Sequence, residues 1–152
     1  MKVFRLSKQR FANDLSGSGA ELTGGRWNKI GTKLLYTSDS RALCTAEIAV
    51  HTPMGITPND YFLITIEIPD IIKILILDPT SLPDDWKSFP HSEITQLIGI
   101  DFITKQKYLV MKVPSAVVQG DFNFLINPLH RDFNKIKILE KEKFTFDERL
   151  FK

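Results

Sequence analysis

Residues 17–51 read GSGAELTGGRWNKIGTKLLYTSDSRALCTAEIAVH, and the order of signals in this stretch decides the fold. Gly17, Gly19, Gly24 and Gly25, four of the eight glycines in the chain, open it. With serine and threonine between them they predict a loop over Asn13–Gly25 whose backbone takes positive φ or approaches a ligand closely. No strand flows into a helix at these glycines, so the spacing is not that of a Walker or dinucleotide-binding fingerprint. Lys33–Thr37 (KLLYT) then predicts a strand, and Ser38-Asp39-Ser40 offers caps for a helix over Arg41–His51. On that helix Leu43, Ala46, Glu47 and Val50 share a face at i, i+3, i+4 and i+7. A carboxylate on an apolar face must be paired, hydrogen-bonded or lining a cavity, because an unpaired charge in the core is costly. An ion pair with Arg26 or Arg41 answers that requirement as well as a reactive site does.

Working outward, Val3–Leu6 predicts a short first strand in which Arg5 faces away from Phe4 and Leu6. Pro53, Gly55 and Pro58 end the helix, and the isoleucine-rich runs Tyr61–Ile68 and Ile71–Leu77 predict two consecutive strands parted by Pro69-Asp70. Asp78–Pro90 is a polar loop with three prolines, in which Trp86 is a packing anchor. Ser92 caps a short helix to Ile98, with a further turn after Asp101. Tyr108–Val118, Phe122–Ile126, Lys135–Leu139 and Lys143–Phe146 are read as the remaining strands. The pattern is α+β: one compact domain, residues 1–152, with a central mixed β-sheet and few helices.

The charge is uneven. The whole chain carries +2, yet residues 1–33 hold seven basic side chains against two acidic ones, leaving +5 there and −3 over the rest. An anionic ligand near the N-terminal third accounts for this, and so does a solvated basic face. The small total argues against direct nucleic acid binding. Cys44 is the single cysteine, which excludes an intrachain disulfide and suits a reducing, cytoplasmic compartment. No secretory signal follows Met1, and the most apolar run, Phe62–Leu77, is broken by Glu67, Pro69, Asp70 and Lys73, so no membrane span is expected.

Several chemistries fall away. His51, His91 and His130 lie far apart with no cysteine or carboxylate at metal-ligand spacing, which predicts surface or capping roles and no metal site. Cys44 sits among apolar neighbours, as a buried structural thiol would. Ser38, Ser40 and Ser115 lack the Gly-x-Ser-x-Gly context of a nucleophile elbow. What remains is Arg26, Tyr36 and Glu47, with Ser115 from a later Val-Pro-Ser.

These residues carry a resemblance. Gly24-Gly25-Arg26-Trp27-Asn28, Gly31, Tyr36-Thr37-Ser38, Ala46-Glu47 and His51, then Val113-Pro114-Ser115 and Gly120-Asp121-Phe122-Asn123-Phe124-Leu125-Ile126-Asn127-Pro128-x-His130, are similar to the pattern of the RES-domain family, named for an arginine, a glutamate and a serine. The match spans nearly the whole chain. Gln119 and Arg131 stand where many relatives carry proline, which touches loop rigidity and no reactive group. The resemblance implies the toxin of a bacterial toxin–antitoxin pair, a fold similar to ADP-ribosyltransferase toxins, and NAD as a consumed substrate, with no further cofactor. It also implies an Xre-type helix-turn-helix antitoxin covering the active site, and family habit allows a homodimer.

Breaking an N-glycosidic bond to a cationic pyridinium, which departs as neutral nicotinamide, builds positive charge on the ribose, which a carboxylate can stabilise. That role falls to Glu47. Arg26 suits a pyrophosphate through its guanidinium fork, with Arg5 and Lys29 as helpers. Tyr36 offers a ring to nicotinamide or a hydroxyl to ribose, Ser115 and Asn127 offer hydrogen bonds to the substrate, and Trp27 packs beneath the loop. Three functions stay open: NAD hydrolysis or phosphorolysis, ADP-ribosylation of a protein from the same pocket, and a catalytically silent nucleotide-binding module.

Overall fold

The computed structural model describes all residues from Met1 to Lys152. Seven strands form one sheet: β1 (Lys2–Lys8), β2 (Leu35–Ser38), β3 (Tyr61–Glu67), β4 (Ile74–Ile76), β5 (Val110–Pro114), β6 (Phe122–Ile126) and β7 (Lys137–Phe144). Their spatial order is β4-β5-β6-β2-β1-β3-β7. Three α-helices accompany them: α1 (Ser18–Thr23), α2 (Arg41–His51) and α3 (Glu93–Lys105). The sheet is mixed, with β4 and β5 parallel and the other pairs antiparallel, so the expected α+β domain with few helices is what the chain forms. No helix is long and apolar enough to cross a membrane.

The strand alternation gives the sheet two covered faces. Val3, Leu35, Ile64, Ile66, Val110 and Ile126 bury one face. Met111, Val113 and Leu125 bury the other beneath Phe102 and Ile103 of α3 and Trp27 of the glycine-rich stretch. Register places Phe4, Ser38 and Asn123 side by side on one face.

The two halves of the sheet meet narrowly. β1 and β3 pair along their whole length, from Lys2↔Glu67 to Lys8↔Tyr61, whereas β1 and β2 pair only at Phe4↔Ser38. Beyond that pair the strands diverge. α2 packs against both β1 and β2, and its buried side chains are Leu43 and Cys44. The apolar face expected to run on to Val50 stops short, since Val50 is 59% exposed.

Four expectations are corrected. The stretch Asn13–Gly25, expected to be loop, contains α1. The strand expected over Ile71–Leu77 is only Ile74–Ile76, and it pairs in parallel with β5 at the far edge instead of beside β3. A parallel neighbour needs a long crossover, and α3 supplies it. The short helix and the further turn merge into the single helix α3, which Ser92 caps by accepting from the Ile94 N–H at 3.2 Å. The two strands expected at the C-terminal end are one, β7, which runs straight through the charged residues 140–142 between them. As an edge strand it is served by charges, which discourage pairing with another chain.

Gly99 lies inside α3, where a Cβ would overlap the carbonyl oxygen of Trp27. The helix therefore touches the backbone of the Arg26 turn directly. Gly19 in α1 has nothing within 4 Å of its Cβ position. Gly99→Ala is expected to cost about 3 kcal/mol or more through overpacking, while Gly19→Ala leaves stability unchanged or raises it by up to about 1 kcal/mol. Denaturant midpoints of the two variants check this, and equal midpoints would show that α3 does not rest on the turn.

Candidate active site

Where β1 and β2 diverge, a cavity of about 610 Å³ opens between the Gly24–Trp27 turn, α2 and the segment ending at His91. That volume lies within the range of small-molecule sites, roughly 300–1,000 Å³. Tyr36, Ser38 and Asn123 line it from the sheet, Glu47 and His51 from α2, and Arg26 from the turn.

The turn is built around Asn28, which is fully buried. Its side-chain Nδ2 donates to the carbonyls of Ala20 at 2.7 Å and Thr32 at 3.0 Å, and its Oδ1 accepts the Tyr36 hydroxyl at 2.7 Å. The same hydroxyl accepts from the Trp27 N–H at 3.0 Å. Gly25 and Asn28 close the turn with Gly25 N–H donating to Asn28 O at 2.9 Å, and Gln96 of α3 donates to Gly25 O at 3.1 Å. A Cβ on Gly25 would lie 2.7 Å from the Tyr36 oxygen, so only glycine lets the hydroxyl in. Trp27 is thereby turned inward, with its ring 6.1 Å from that of Trp86, and Arg26 borders the cavity. Burial raises the Tyr36 hydroxyl far above its ordinary value, so it stays protonated. It is the anchor of the turn.

Arg26 Nη1 donates to the carbonyls of Trp86 at 2.8 Å and Ser88 at 3.0 Å. Its Nε and Nη2 make no hydrogen bond within the protein. Burial lowers the guanidinium pKa, and Glu47 and then Tyr36 work in the opposite direction. Glu47 is half-buried and forms no salt bridge: the two ion pairs considered for it do not form, since Arg41 reaches Glu142 at 3.0 Å and Arg26 turns to carbonyls. Burial raises the Glu47 carboxyl above the usual carboxylate range, with Asn123, His51, Ser115 and Arg26 drawing it back. Ser115 Oγ donates to Glu47 Oε1 at 3.4 Å while accepting from the N–H groups of Val117 and Val118, each at 3.0 Å. The serine is held by its own turn and aimed at the carboxylate.

Arg26, Tyr36, Glu47 and Ser115 thus converge, although they span 90 positions of the chain. The other expected residues do not join them fully. Arg5 borders the cavity, but its guanidinium donates to the Asp14 carbonyl at 3.2 Å. Lys29 pairs with Glu93 at 3.2 Å on the surface. Asn127 is buried, donating to the Ile103 carbonyl and accepting from the Leu129 N–H at 2.9 Å, away from the cavity. Cys44 reaches the lining, and burial pushes its thiol up to about 11, so it carries no thiolate at neutral pH. His130 is buried and accepts the Asp132 N–H on Nδ1 at 3.1 Å, a capping role. His51 and His91, expected in surface or capping roles, line the cavity together with Phe89 and Asn123; for His51 and Asn123 the signal was their place within the quoted motifs.

A model of the family described as the RES domain matches residues 2–147. A protein of Sphingobium sp. (strain YBL2) named Prs ADP-ribosylating toxin is 36% identical over 143 residues, covering 93% of this chain and 89% of that protein. Toxin Res of Photorhabdus laumondii subsp. laumondii is 35% identical over 154 residues, covering 100% of this chain and 98% of that protein. The solved toxin–antitoxin complex MbcT–MbcA of M. tuberculosis contains a chain of the same fold, with a TM-score of 0.73 and 21% identity, covering 99% of this chain and 86% of that one.

Tyr36→Phe removes one hydroxyl and strands two buried groups, the Trp27 N–H and Asn28 Oδ1; a loss of about 1–3 kcal/mol in a denaturant titration is expected. Glu47→Gln acts the other way. A carboxyl whose pKa is raised by folding penalises the native state once ionised, and the penalty disappears below the unfolded value of about 4.3. The variant is expected to melt higher than wild type at neutral pH, with the gain shrinking as pH falls towards about 4, and calorimetry across that window checks it.

Proposed function

The chain belongs to the RES-domain family, and we propose that it is the toxin of a toxin–antitoxin pair whose substrate is NAD and whose reaction breaks the nicotinamide–ribose bond. One observation carries this: a half-buried carboxylate, Glu47, shares a cavity of substrate size with Arg26, and neither is consumed by an ion pair. Charge without a protein partner, held in a partly dry site, is available for a ligand.

In this mechanism Arg26 holds the pyrophosphate with Nε and Nη2, the nitrogens that bond nothing in the protein. The bond to the pyridinium lengthens, electrons leave with nicotinamide as a neutral molecule, and positive charge accumulates on the ribose. Glu47 stabilises that oxocarbenium-like charge, and Ser115 fixes its rotamer. A neutral leaving group needs no general acid, which fits a site with a single carboxylate beside the reacting bond. The Tyr36 ring supplies an aromatic wall, its hydroxyl being committed to the turn.

The acceptor divides two readings. Water or phosphate at the ribose carbon depletes NAD; a protein nucleophile gives ADP-ribosylation, and the name of the Sphingobium relative favours that second course. The partner we propose is an antitoxin of the Xre helix-turn-helix type seated over the cavity mouth, and the M. tuberculosis toxin–antitoxin complex of the same fold supports an antitoxin as such.

Product analysis tests the reaction. Purified protein with NAD is expected to release nicotinamide, at least about 100-fold more slowly in Arg26→Ala and Glu47→Ala. Phosphate dependence marks phosphorolysis, and label carried from NAD to a protein in lysate marks ADP-ribosylation. No nicotinamide with or without lysate leaves only a nucleotide-binding module. Because the ionised Glu47 does the work, the rate should fall with decreasing pH through a pKa above the usual glutamate value of about 4.3; a rate flat to pH 4 would exclude the carboxylate.

A further inference from the structure

His91 precedes α3 by two residues and lines the cavity with Phe89, whose ring meets the imidazole edge to face at 5.3 Å. Its Nδ1 is enclosed and has no hydrogen-bond partner; of the buried side-chain polar atoms, only this nitrogen and Thr65 Oγ1 are left so. A buried polar atom without a partner costs free energy, and native proteins seldom leave one unless water or a ligand completes it.

The neighbours of His91 decide which ligand. The charged and titratable groups near it are Arg26 from the turn and His51 from α2, and with its own burial they hold the imidazole below its ordinary pKa. Arg26 makes no hydrogen bond to this nitrogen, and its own Nε and Nη2 are uncommitted; in the tautomer with the proton on Nδ1, both groups are donors without an acceptor. Two groups short of an acceptor thus border one cavity, backed by a third basic side chain. An anionic oxygen satisfies both at once, whereas the nicotinamide ring, positively charged in the substrate, is repelled from this side and drawn to Glu47.

We propose that His91 is a substrate-binding residue that donates from Nδ1 to a phosphate oxygen of the dinucleotide in concert with Arg26, which fixes the direction in which NAD lies: pyrophosphate at the Arg26–His91 wall and nicotinamide towards Glu47. This rests on the NAD reading above. Bound phosphate also offsets the positive charge that Arg26 and His51 impose on the imidazole, so the contact strengthens once the substrate is seated.

The test uses ADP-ribose, which has the pyrophosphate without nicotinamide, and nicotinamide riboside, which has the reverse. His91→Phe keeps the packing against Phe89 and removes the donor; His91→Asn sets an amide close to the position of Nδ1. Calorimetric titration is expected to show ADP-ribose bound about tenfold more weakly or worse by His91→Phe, largely restored in His91→Asn, with nicotinamide riboside unaffected. In turnover, KM for NAD should rise by a similar factor with kcat kept within about twofold, a split that loss of structure would not give. Thermal melting of His91→Phe at or above wild type is expected, since an unsatisfied nitrogen has been removed. Equal ADP-ribose affinity in wild type and His91→Phe would mean that Nδ1 holds only water, and His91 alone would drop out. Equal weakening of both probes would make it a matter of cavity shape, overturning the phosphate contact. Should wild type bind neither probe, this assignment and the NAD reading fall together.

Discussion

A single residue pair, Phe4↔Ser38, joins the two halves of the sheet. Had β1 and β2 paired along their length, as β1 and β3 do, their backbone groups would be spent on each other and the sheet would close. Pairing once and then diverging leaves a wedge of strand ends and polar side chains that something else must cover. α2 covers part of it, with Ser40 capping by accepting from the Leu43 N–H at 3.0 Å and Arg41 reaching across to Glu142 of β7. The part left open is the cavity. The polar residues on its floor, Ser38 and Asn123, satisfy one another at 3.1 Å, so the wedge stays open without stranding buried groups.

The second requirement is that an arginine be offered to that wedge from a rigid support. The Arg26 turn is held by Asn28 and Tyr36 within, by Gln96 from α3 and by the absence of a side chain at Gly99. Fixing the backbone on both sides of one residue removes most of its freedom before any ligand arrives, which is how a surface loop becomes a usable binding element. The same economy explains Ser115, held by two backbone N–H groups before it touches Glu47.

Much of this was legible because it is local. The caps and the apolar spacing of residues 41–51 locate α2 to the residue, and Phe122–Ile126 is a strand bounded by Gly120 and Asn127-Pro128 as read. Arg26, Tyr36 and Glu47 stand out since each is an awkward residue in its surroundings. What escaped depends on partners distant in sequence. Ile74–Ile76 looks like any buried strand, and nothing in it says that its neighbour lies beyond α3 instead of in β3. The alternating charges of 140–143 fit a turn or an edge strand equally until the edge is known. Of the two roles open to Tyr36, a ring for nicotinamide or a hydroxyl for ribose, the second is taken up within the protein, since the hydroxyl turns inward to a loop eight residues upstream. Lys29 and Asn127 are residue types that suit an anionic or polar ligand, yet an ion pair and a buried turn claim them. A lone histidine such as His91 carries no spacing signal at all.

The strand order bears on synthesis as well as on chemistry. β6 lies between β5 and β2, so the β2 edge that carries Tyr36 and Ser38 has no neighbour on that side until residues 122–126 exist. Asn123 arrives with them, and Ser115 only shortly before. A ribosome that has made Arg26, Tyr36 and Glu47 has therefore made an incomplete sheet, and long-range strand pairing is slow to form besides. The site therefore cannot assemble before residues 115–126 have been made, and its side chains come together only when β6 threads the gap between β5 and β2.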